Sequence, residues 1–190
     1  GPPLAHLAAI RARYPIVMHG VSLSIGSTDP LDIGYLRKLK KLAEWLEPPF
    51  LSDHFCWTGV AGINSHDLLP LPFSEEALLH VAERIDRVQA ILGRQIALEN
   101  ASTYVQFQQS TIPEWEFVTA IAKKTGCQIL LDINNVYVNA INHGLDANLY
   151  VDSISCDHIA YLHLAGHEDL GSYLIDTHDH PVIDAVWDLY

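Results

Sequence analysis

Apolar, strand-like runs alternate along this chain with stretches of helical periodicity, and this pattern restricts the fold more than any other feature. The runs ILLDI and IAYLHL are almost wholly apolar, as expected of strands buried on both faces of a parallel sheet. The alternation of strands and helices, with about five strands, therefore predicts a parallel α/β architecture.

Polar side chains follow these apolar runs at their downstream ends. They are His19, Asp53 with His54, Glu99 with Asn100, Asp132 with Asn134 and Asn135, His163 with His167, and the run from Asp176 to His180. Ligands of parallel α/β folds bind at the carboxyl ends of the strands, so these side chains are expected to converge there.

Polar groups from five successive strands favour the rim of a TIM barrel over the single switch point of a doubly wound sheet. A complete eight-stranded barrel needs about 250 residues, and this chain has 190. The sequence therefore predicts one incomplete TIM-barrel domain over residues 1–190, short by two or three strands.

Element boundaries follow from periodicity and from turn residues. Helices are expected at the amino terminus up to about residue 13, then at 31–47, 74–92, 113–125 and from 181 onward. Strands are expected at 16–25, 50–57, 95–101, 128–138 (including the exit of that strand) and 158–165, and a loop at 58–73.

The formal net charge of −12 argues against sequence-independent nucleic-acid binding, which depends on Lys and Arg. No apolar run reaches the roughly 18 residues of a membrane span, and no signal peptide is visible. A cytoplasmic protein without membrane contact is therefore expected.

The three cysteines are widely spaced and predict free thiols, and Cys127 and Cys156 are expected to be buried because apolar segments lie beside them. The start at Gly-Pro-Pro suggests an excised fragment.

Two carboxylates carry the strongest chemical signal. Glu99 and Asp132 each follow apolar residues at a strand end, where an unpaired buried carboxylate is costly. Two such acids on neighbouring strands repel unless a cation separates them. Only 11 Lys and Arg are present, most of them on predicted helices, so a metal ion is the favoured counterion. Imidazoles with carboxylates suit iron, manganese or zinc.

The histidines at the strand ends are individually ambiguous. His19, taken alone, is better explained as a hydrogen-bonded core histidine than as a ligand. His54, next to Asp53, fits a ligand with an adjacent orienting acid. His163 is expected to point inward, and His167 to fold over the rim after the Gly166 turn.

The remaining polar residues have weaker support. One of Asn134 and Asn135 is expected to be only a turn residue. Asp176, His178 and His180 alternate, so they would share one side of an extended segment. Weak candidates for substrate contacts are His66, Asn100 and His143, although the two histidines could equally cap helices.

Several motifs resemble the domain-of-unknown-function family 692: HGVSLSIGS, LSDHFCW, HDLLPLPFSEEAL, ALENASTY, EWEF, LLDINNVYVNAINHG, HLAGH and DTHDHPV. That family includes the multinuclear non-haem iron oxygenase subunit of methanobactin biosynthesis. The resemblance implies a xylose-isomerase-like TIM barrel with two or three iron ions that modifies cysteines of a ribosomally made precursor peptide. It also implies a partner protein that presents the peptide.

The resemblance implies a division of ligands among the metals, although it names no catalytic residue. His19, His54 and Glu99 resemble the ligands of one ion, and Asp132 with His163 those of a second, with Glu99 or Asp132 bridging. A further ion would use Asn135, His167, Asp176 and His178.

One departure from the family concerns completeness. The family pattern continues past the VWDLY helix to a strand with another acidic ligand, and His19 belongs to the second strand of the family barrel. This chain would then lack the first and the last strands and could be inactive alone. Two other functions remain open: a two-metal (Mn or Zn) sugar isomerase or phosphate hydrolase, and a metal- or peptide-binding module without turnover. The scarcity of Lys and Arg disfavours a phosphate substrate.

Overall fold

The computed structural model describes residues 2–190, with side chains from residue 3 onward. Its helices are α1 (Pro2–Arg11), α2 (Ile33–Leu46), α3 (Glu75–Leu92), α4 (Glu114–Thr125), α5 (Ile133–His143), α6 (Ala147–Ser153) and α7 (Asp184–Leu189). Its strands are β1 (Met18–His19), β2 (Leu51–His54), β3 (Trp57–Val60), β4 (Ile63–Leu69), β5 (Ala97–Glu99), β6 (Gln128–Asp132), β7 (Ile159–His163), β8 (Glu168–Asp169) and β9 (Leu174–Ile175).

Five parallel strands form the central sheet, in the order β1-β2-β5-β6-β7. The register pairs the last residues of neighbouring strands: His54 lies opposite Glu99, and Asp132 lies opposite His163. The polar residues predicted to converge therefore end their strands at one edge of the sheet. This edge is called the rim below.

The sheet curls, because residues of strands that are not neighbours meet across its concave side. The Tyr161 hydroxyl of β7 lies 2.6 Å from Ser52 Oγ of β2, although β5 and β6 separate these strands. The rings of His19 and His163, on the two edge strands, are 5.3 Å apart. This curled sheet confirms the predicted parallel α/β architecture, and its half-barrel shape is consistent with the predicted barrel.

Amphipathic helices cover the outer face of the sheet. Helix α3 begins at the predicted Ser74, whose side chain accepts a hydrogen bond from the Ala77 N–H. It ends at Gly93, whose φ of 72° suits a residue without a Cβ atom. Val81 and Ile85 of α3 are fully buried in the core with apolar residues of the sheet. Each such side chain stabilises the fold by about 1.5–3 kcal/mol.

The predicted loop at 58–73 was wrong, because most of it forms the β3–β4 hairpin. Ala61 and Gly62 both have positive φ at its tip, and the Asp29 carboxylate accepts both of their N–H groups, at 2.8 and 3.0 Å. The hairpin escaped prediction because β4 is mostly exposed and polar, so it lacks the alternation of a half-buried strand.

The exit predicted for residues 128–138 was also wrong, because the chain turns directly into α5. Asp132 ends β6 and is the N-cap of α5, with its side chain accepting the Asn135 N–H at 2.7 Å. The other strands are shorter than predicted; of residues 16–25, only Met18–His19 is a strand. Helix α6 and the β8–β9 hairpin had not been predicted.

Cys56, Cys127 and Cys156 are all free thiols, as predicted. The predicted burial is confirmed for Cys127 and was wrong for Cys156, which is exposed because it lies in a short 3-10 turn before β7. Among residues 2–190, no helix has the length and apolar character needed to cross a membrane.

Candidate metal centre

The Glu99 carboxylate lies at the centre of the rim and is only 1% exposed. Its Oε2 atom is 2.9 Å from His19 Nε2 and 3.2 Å from His54 Nε2. These three side chains come from β1, β2 and β5, which are adjacent in the sheet. One ligand atom from each lies within 4.8 Å of the others, a spacing that a metal ion can bridge.

His54 is held in a defined orientation by the chain around it. Its Nδ1 atom is 3.0 Å from the Gly20 carbonyl oxygen, which can only accept a hydrogen bond. A proton therefore belongs on Nδ1, which leaves Nε2, on the side of Glu99, as the nitrogen available to a metal ion. Asp53 supports this arrangement by accepting the N–H groups of Leu23 and His54, at 3.1 and 2.8 Å.

Glu99 also belongs to a second group. Its Oε1 atom is 3.1 Å from His163 Nδ1, and the same nitrogen is 3.7 Å from Asp132 Oδ2. Ligand atoms of Glu99, Asp132 and His163 again lie within 4.8 Å of one another. Because one carboxylate serves both groups through different oxygens, it has the geometry of a bridge between two ions.

Three buried oxygens at this rim have no hydrogen-bond partner: Glu99 Oε2, Asp132 Oδ2 and Asn135 Oδ1. Leaving such groups unpaired costs about 1–3 kcal/mol each, and more for charged ones. Within residues 3–190, the only Lys or Arg side chain within 4 Å of a carboxylate is that of Arg11, on the distant Glu47. Oxygens and imidazole nitrogens without a basic side chain are a donor set that fits divalent metal ions.

A further set of polar side chains lies beside Asp132. His178 Nε2 is 2.9 Å from Asp176 Oδ1 and 3.8 Å from Asp132 Oδ2. Asn134 donates to the same Asp176 oxygen at 2.9 Å, and its own Oδ1 is 2.8 Å from His167 Nδ1. The residue linking this set is therefore Asn134, whereas the predicted Asn135 points its amide to the Asn100 carbonyl at 3.0 Å.

The expectation that His180 shares a side with Asp176 and His178 was wrong. His178 has a φ of 57°, so the segment bends there and does not continue as an extended strand. His180 Nε2 instead lies 3.5 Å from Asp179, and both side chains are at least half exposed.

The two central carboxyls have opposite pKa shifts. Burial raises the pKa of Glu99, but its contacts with His163 and His19 outweigh burial and hold the pKa well below the usual range. Burial, reinforced by the neighbouring Glu99 charge, raises the pKa of Asp132 to about 7, although the Asn135 N–H acts in the opposite direction. Opposite shifts of adjacent carboxyls are typical of functional sites.

The histidines of the rim also differ. The Glu99 carboxylate raises the pKa of His163, and Asp176 raises the pKa of His178 to about 8. Burial lowers the pKa of His54, yet Asp53 and Glu99 together reverse this and raise it. Burial lowers the pKa of His167. The acids of the rim thus raise the pKa of three histidines, His54, His163 and His178, which favours the cationic form of these side chains when no metal ion is bound.

Of the three weak candidates for substrate contacts, Asn100 supports the donor set through the Asp132 backbone, and His66 and His143 make their contacts elsewhere. The Asn100 side chain makes two hydrogen bonds to the backbone of Asp132. Its Nδ2 donates to the carbonyl oxygen at 3.0 Å, and its Oδ1 accepts the N–H at 2.8 Å. His143 Nε2 is 2.7 Å from Thr103 Oγ1 at the end of α5. His66 is exposed on β4 and lines an open cavity of about 350 Å³ that also includes Val21.

Sequence reasoning missed the contributions of Ser52 and Tyr161. Ser52 Oγ is 2.7 Å from His19 Nδ1, and Tyr161 reaches Ser52 from across the sheet. Nothing in the local sequence marks these contacts, because they arise from curvature. Asn134 was among the polar residues expected to converge, but the ligand set implied by the resemblance named Asn135 and not Asn134.

Comparison with known proteins shows the family to which the chain belongs. The family model described as RiPP precursor modification enzyme MbnB/TglH/ChrH matches residues 1–190. The chain belongs to this family. Proteins named UPF0276 in Anaeromyxobacter sp. and Acaryochloris marina are 54% and 52% identical over the whole chain, which covers 67% and 69% of their lengths. The resemblance stated from the motifs is thereby supported at the level of the family.

Two solved epimerase structures resemble this chain in fold. The 3-keto-D-glucoside 4-epimerase YcjR from E. coli has a TM-score of 0.56 at 14% identity, covering 96% of this chain and 69% of that one. A D-allulose 3-epimerase from Methylomonas sp. has a TM-score of 0.52 at 17% identity, covering 82% of this chain and 53% of that one. The chain spans about half to two thirds of these proteins, and their shared feature with it is the barrel fold.

Proposed function

We propose that this chain carries most of the metal centre of a multinuclear, iron-dependent oxygenase that modifies cysteine residues of a ribosomally made peptide. The observation that carries the proposal is the shared Glu99 carboxylate, which faces His19 and His54 through Oε2 and His163 through Oε1. Membership of a family of RiPP precursor modification enzymes supports a peptide substrate.

The proposed division of roles follows the two groups of side chains. His19, His54 and Glu99 would hold one ion, and Glu99, Asp132 and His163 a second. Asp176, His178, Asn134 and His167 would contribute to a further ion or orient the second one. Asn135 stays a proposed ligand through its unpaired Oδ1 atom. Ferrous ions bound here would supply redox chemistry with dioxygen and would lower the pKa of a bound thiol.

The chain's own residues supply orientation and charge. Gly20 and Asp53 fix His54, Asn100 fixes the backbone of Asp132, and the buried carboxylates present negative charge to the cations. A cysteine peptide would approach from the open side of the rim, where His178 is 47% exposed. A partner protein that presents the peptide is part of the proposal.

Anaerobic reconstitution with Fe(II) tests the proposal. The expected result is at least two bound iron ions per chain and oxygen consumption that depends on a cysteine-containing peptide, with the Cys→Ser peptide as control. Both measurements require the full protein with its partner. Exclusive binding of zinc or manganese with turnover of a sugar would establish the isomerase alternative. Tight metal binding without any turnover in the full protein would establish a binding module.

A further inference from the structure

We propose that Ser52 and Tyr161 form a hydroxyl pair that positions His19 as a neutral metal ligand. Ser52 Oγ is 2.7 Å from His19 Nδ1 and 2.6 Å from the Tyr161 hydroxyl. Neither hydroxyl belongs to the donor set described above. Both act through His19, so they are positioning residues. The inference rests on the proposed metal centre, and it names the residues that orient the ligand His19.

The hydrogen bonds around Ser52 determine which nitrogen of His19 is protonated. A serine hydroxyl has one proton to donate and two lone pairs. The Met18 carbonyl, 3.3 Å from Ser52 Oγ, can only accept a hydrogen bond. In the proposed network Ser52 donates to this carbonyl and accepts from the Tyr161 hydroxyl and from His19 Nδ1. All three capacities of the hydroxyl are then used, and the His19 proton lies on Nδ1.

The opposite side of the His19 ring is consistent with this assignment. Nε2 lies 2.9 Å from Glu99 Oε2, yet that oxygen has no partner with hydrogen-bond geometry. At this distance without hydrogen-bond alignment, the axis of Nε2 points beside Oε2 and not at it. Two donor atoms in this relation have the arrangement of ligands of a common cation.

His19 and His54 are held by different kinds of group. The Gly20 carbonyl that fixes His54 is part of the backbone, and side-chain substitution cannot remove it. The hydroxyls that fix His19 come from β2 and β7, which meet only because the sheet is curled. The orientation of His19 therefore depends on the curvature of the sheet. Through Tyr161, this curvature would affect the affinity of the site for metal.

Cobalt(II) titration of the full protein under anaerobic conditions tests the role of the hydroxyl pair, with the visible spectrum of the bound ion as readout. Tyr161→Phe keeps the ring that packs against Phe50 and His163 and removes only the hydroxyl. We expect it to weaken one of two cobalt sites about tenfold and to change that site's spectrum, since loss of an outer partner costs about 10–100-fold in affinity.

Ser52→Ala should weaken the same site at least as much, because it removes the contact with His19 and the contact with Tyr161. The double variant should resemble Ser52→Ala alone, since Tyr161 acts only through Ser52. Tyr150→Phe is the matched control: it removes a buried tyrosine hydroxyl that contacts Glu114, and it should leave both cobalt sites unchanged.

Three outcomes would overturn the inference. Unchanged cobalt affinities and spectra in Tyr161→Phe and Ser52→Ala would do so, as would additive effects in the double variant. Equal weakening of both sites together with a lost circular dichroism signal would indicate a structural role instead. A wild-type protein that binds no cobalt would refute the proposed metal centre itself, which is a distinguishable result.

Discussion

Asn100, the residue after β5, binds the backbone of Asp132 at the end of the neighbouring strand β6. Its Nδ2 donates to the Asp132 carbonyl at 3.0 Å, and its Oδ1 accepts the Asp132 N–H at 2.8 Å. This pair of hydrogen bonds continues the β5–β6 ladder past the last strand residue of β5. A side chain thus fixes the position from which the Asp132 carboxylate enters the candidate metal centre.

Asn100→Ala should destabilise the protein by about 2–3 kcal/mol, because two buried backbone groups of Asp132 lose their partners. Bound metal should fall as well, since Asp132 is no longer fixed. Urea unfolding and metal analysis measure the two effects. Asn142→Ala is the control, because Asn142 holds Leu174 in the same two-bond manner away from the central carboxylates. Unchanged metal content in Asn100→Ala would contradict the expectation.

Glu99→Gln should lower metal binding more than Asp132→Asn does. Glu99 belongs to both groups of ligands and Asp132 to one. The amide keeps the shape of the side chain while removing its charge. Metal analysis after anaerobic loading should show loss of both ions in the first variant and retention of the ion near His19 in the second. Equal losses in the two variants would refute the bridging role.

The metal-free protein should lose stability as the pH rises from about 4 to about 8. The pKa of Asp132 rises on folding from 3.8 to about 7, and that of His178 from 6.5 to about 8. Between these values the folded state binds more protons than the unfolded state, so the free energy of unfolding falls with rising pH. Glu99, whose pKa is lowered, acts oppositely and destabilises the fold only as its carboxylate is protonated at lower pH.

Urea unfolding of the metal-free protein across this pH range measures the effect. Asp132→Asn should make the decline between pH 4 and 7 less steep, because it removes one of the two carboxyls whose pKa is raised to about 7, the other being Glu114. Zinc should stabilise the wild type increasingly as the pH rises, since ligands must lose their protons to bind. Stability that increases with pH in the metal-free wild type would disprove the assigned shifts.

Gly20→Ala should destabilise the protein by about 1–3 kcal/mol through overpacking. A Cβ atom at Gly20 would lie 2.6 Å from Asp53 Oδ2. Asp53 would have to move, and it holds the Leu23 and His54 backbone N–H groups. Thermal unfolding and metal affinity should both decline. Gly34→Ala, whose nearest contact is 3.1 Å from the flexible N-cap Asp32, should keep wild-type metal affinity.

His178→Ala and His180→Ala should differ although the residues are two apart. His178 contacts Asp176 and approaches Asp132, whereas His180 pairs with the exposed Asp179. We expect His178→Ala to reduce bound metal and His180→Ala to leave it unchanged. Metal analysis and peptide-dependent oxygen uptake in the full protein check this. A larger effect of His180→Ala would contradict the observed bend at His178.

The sequence by itself determined the succession of the five sheet strands, the helices α1 to α4 and α7, and the polar residues that end each of these strands. Burial of Glu99 and Asp132 was predictable, since apolar residues precede both carboxylates and a parallel strand is covered on both faces. Caps such as Ser74 and Gly93 were predictable because capping depends on local chemistry. The β3–β4 hairpin and the helical exit after Asp132 were not, since exposed strands and N-caps leave weak or ambiguous local patterns.

Only the tertiary structure decided which of these side chains meet. The curl of the sheet brings His163 to His19 and Tyr161 to Ser52, across strands that are not neighbours. The bend at His178 directs that ring to Asp132 and leaves His180 outside. Local sequence governs backbone propensity over a few residues, whereas distances of about 3 Å between remote side chains depend on twist, register and packing of the whole sheet.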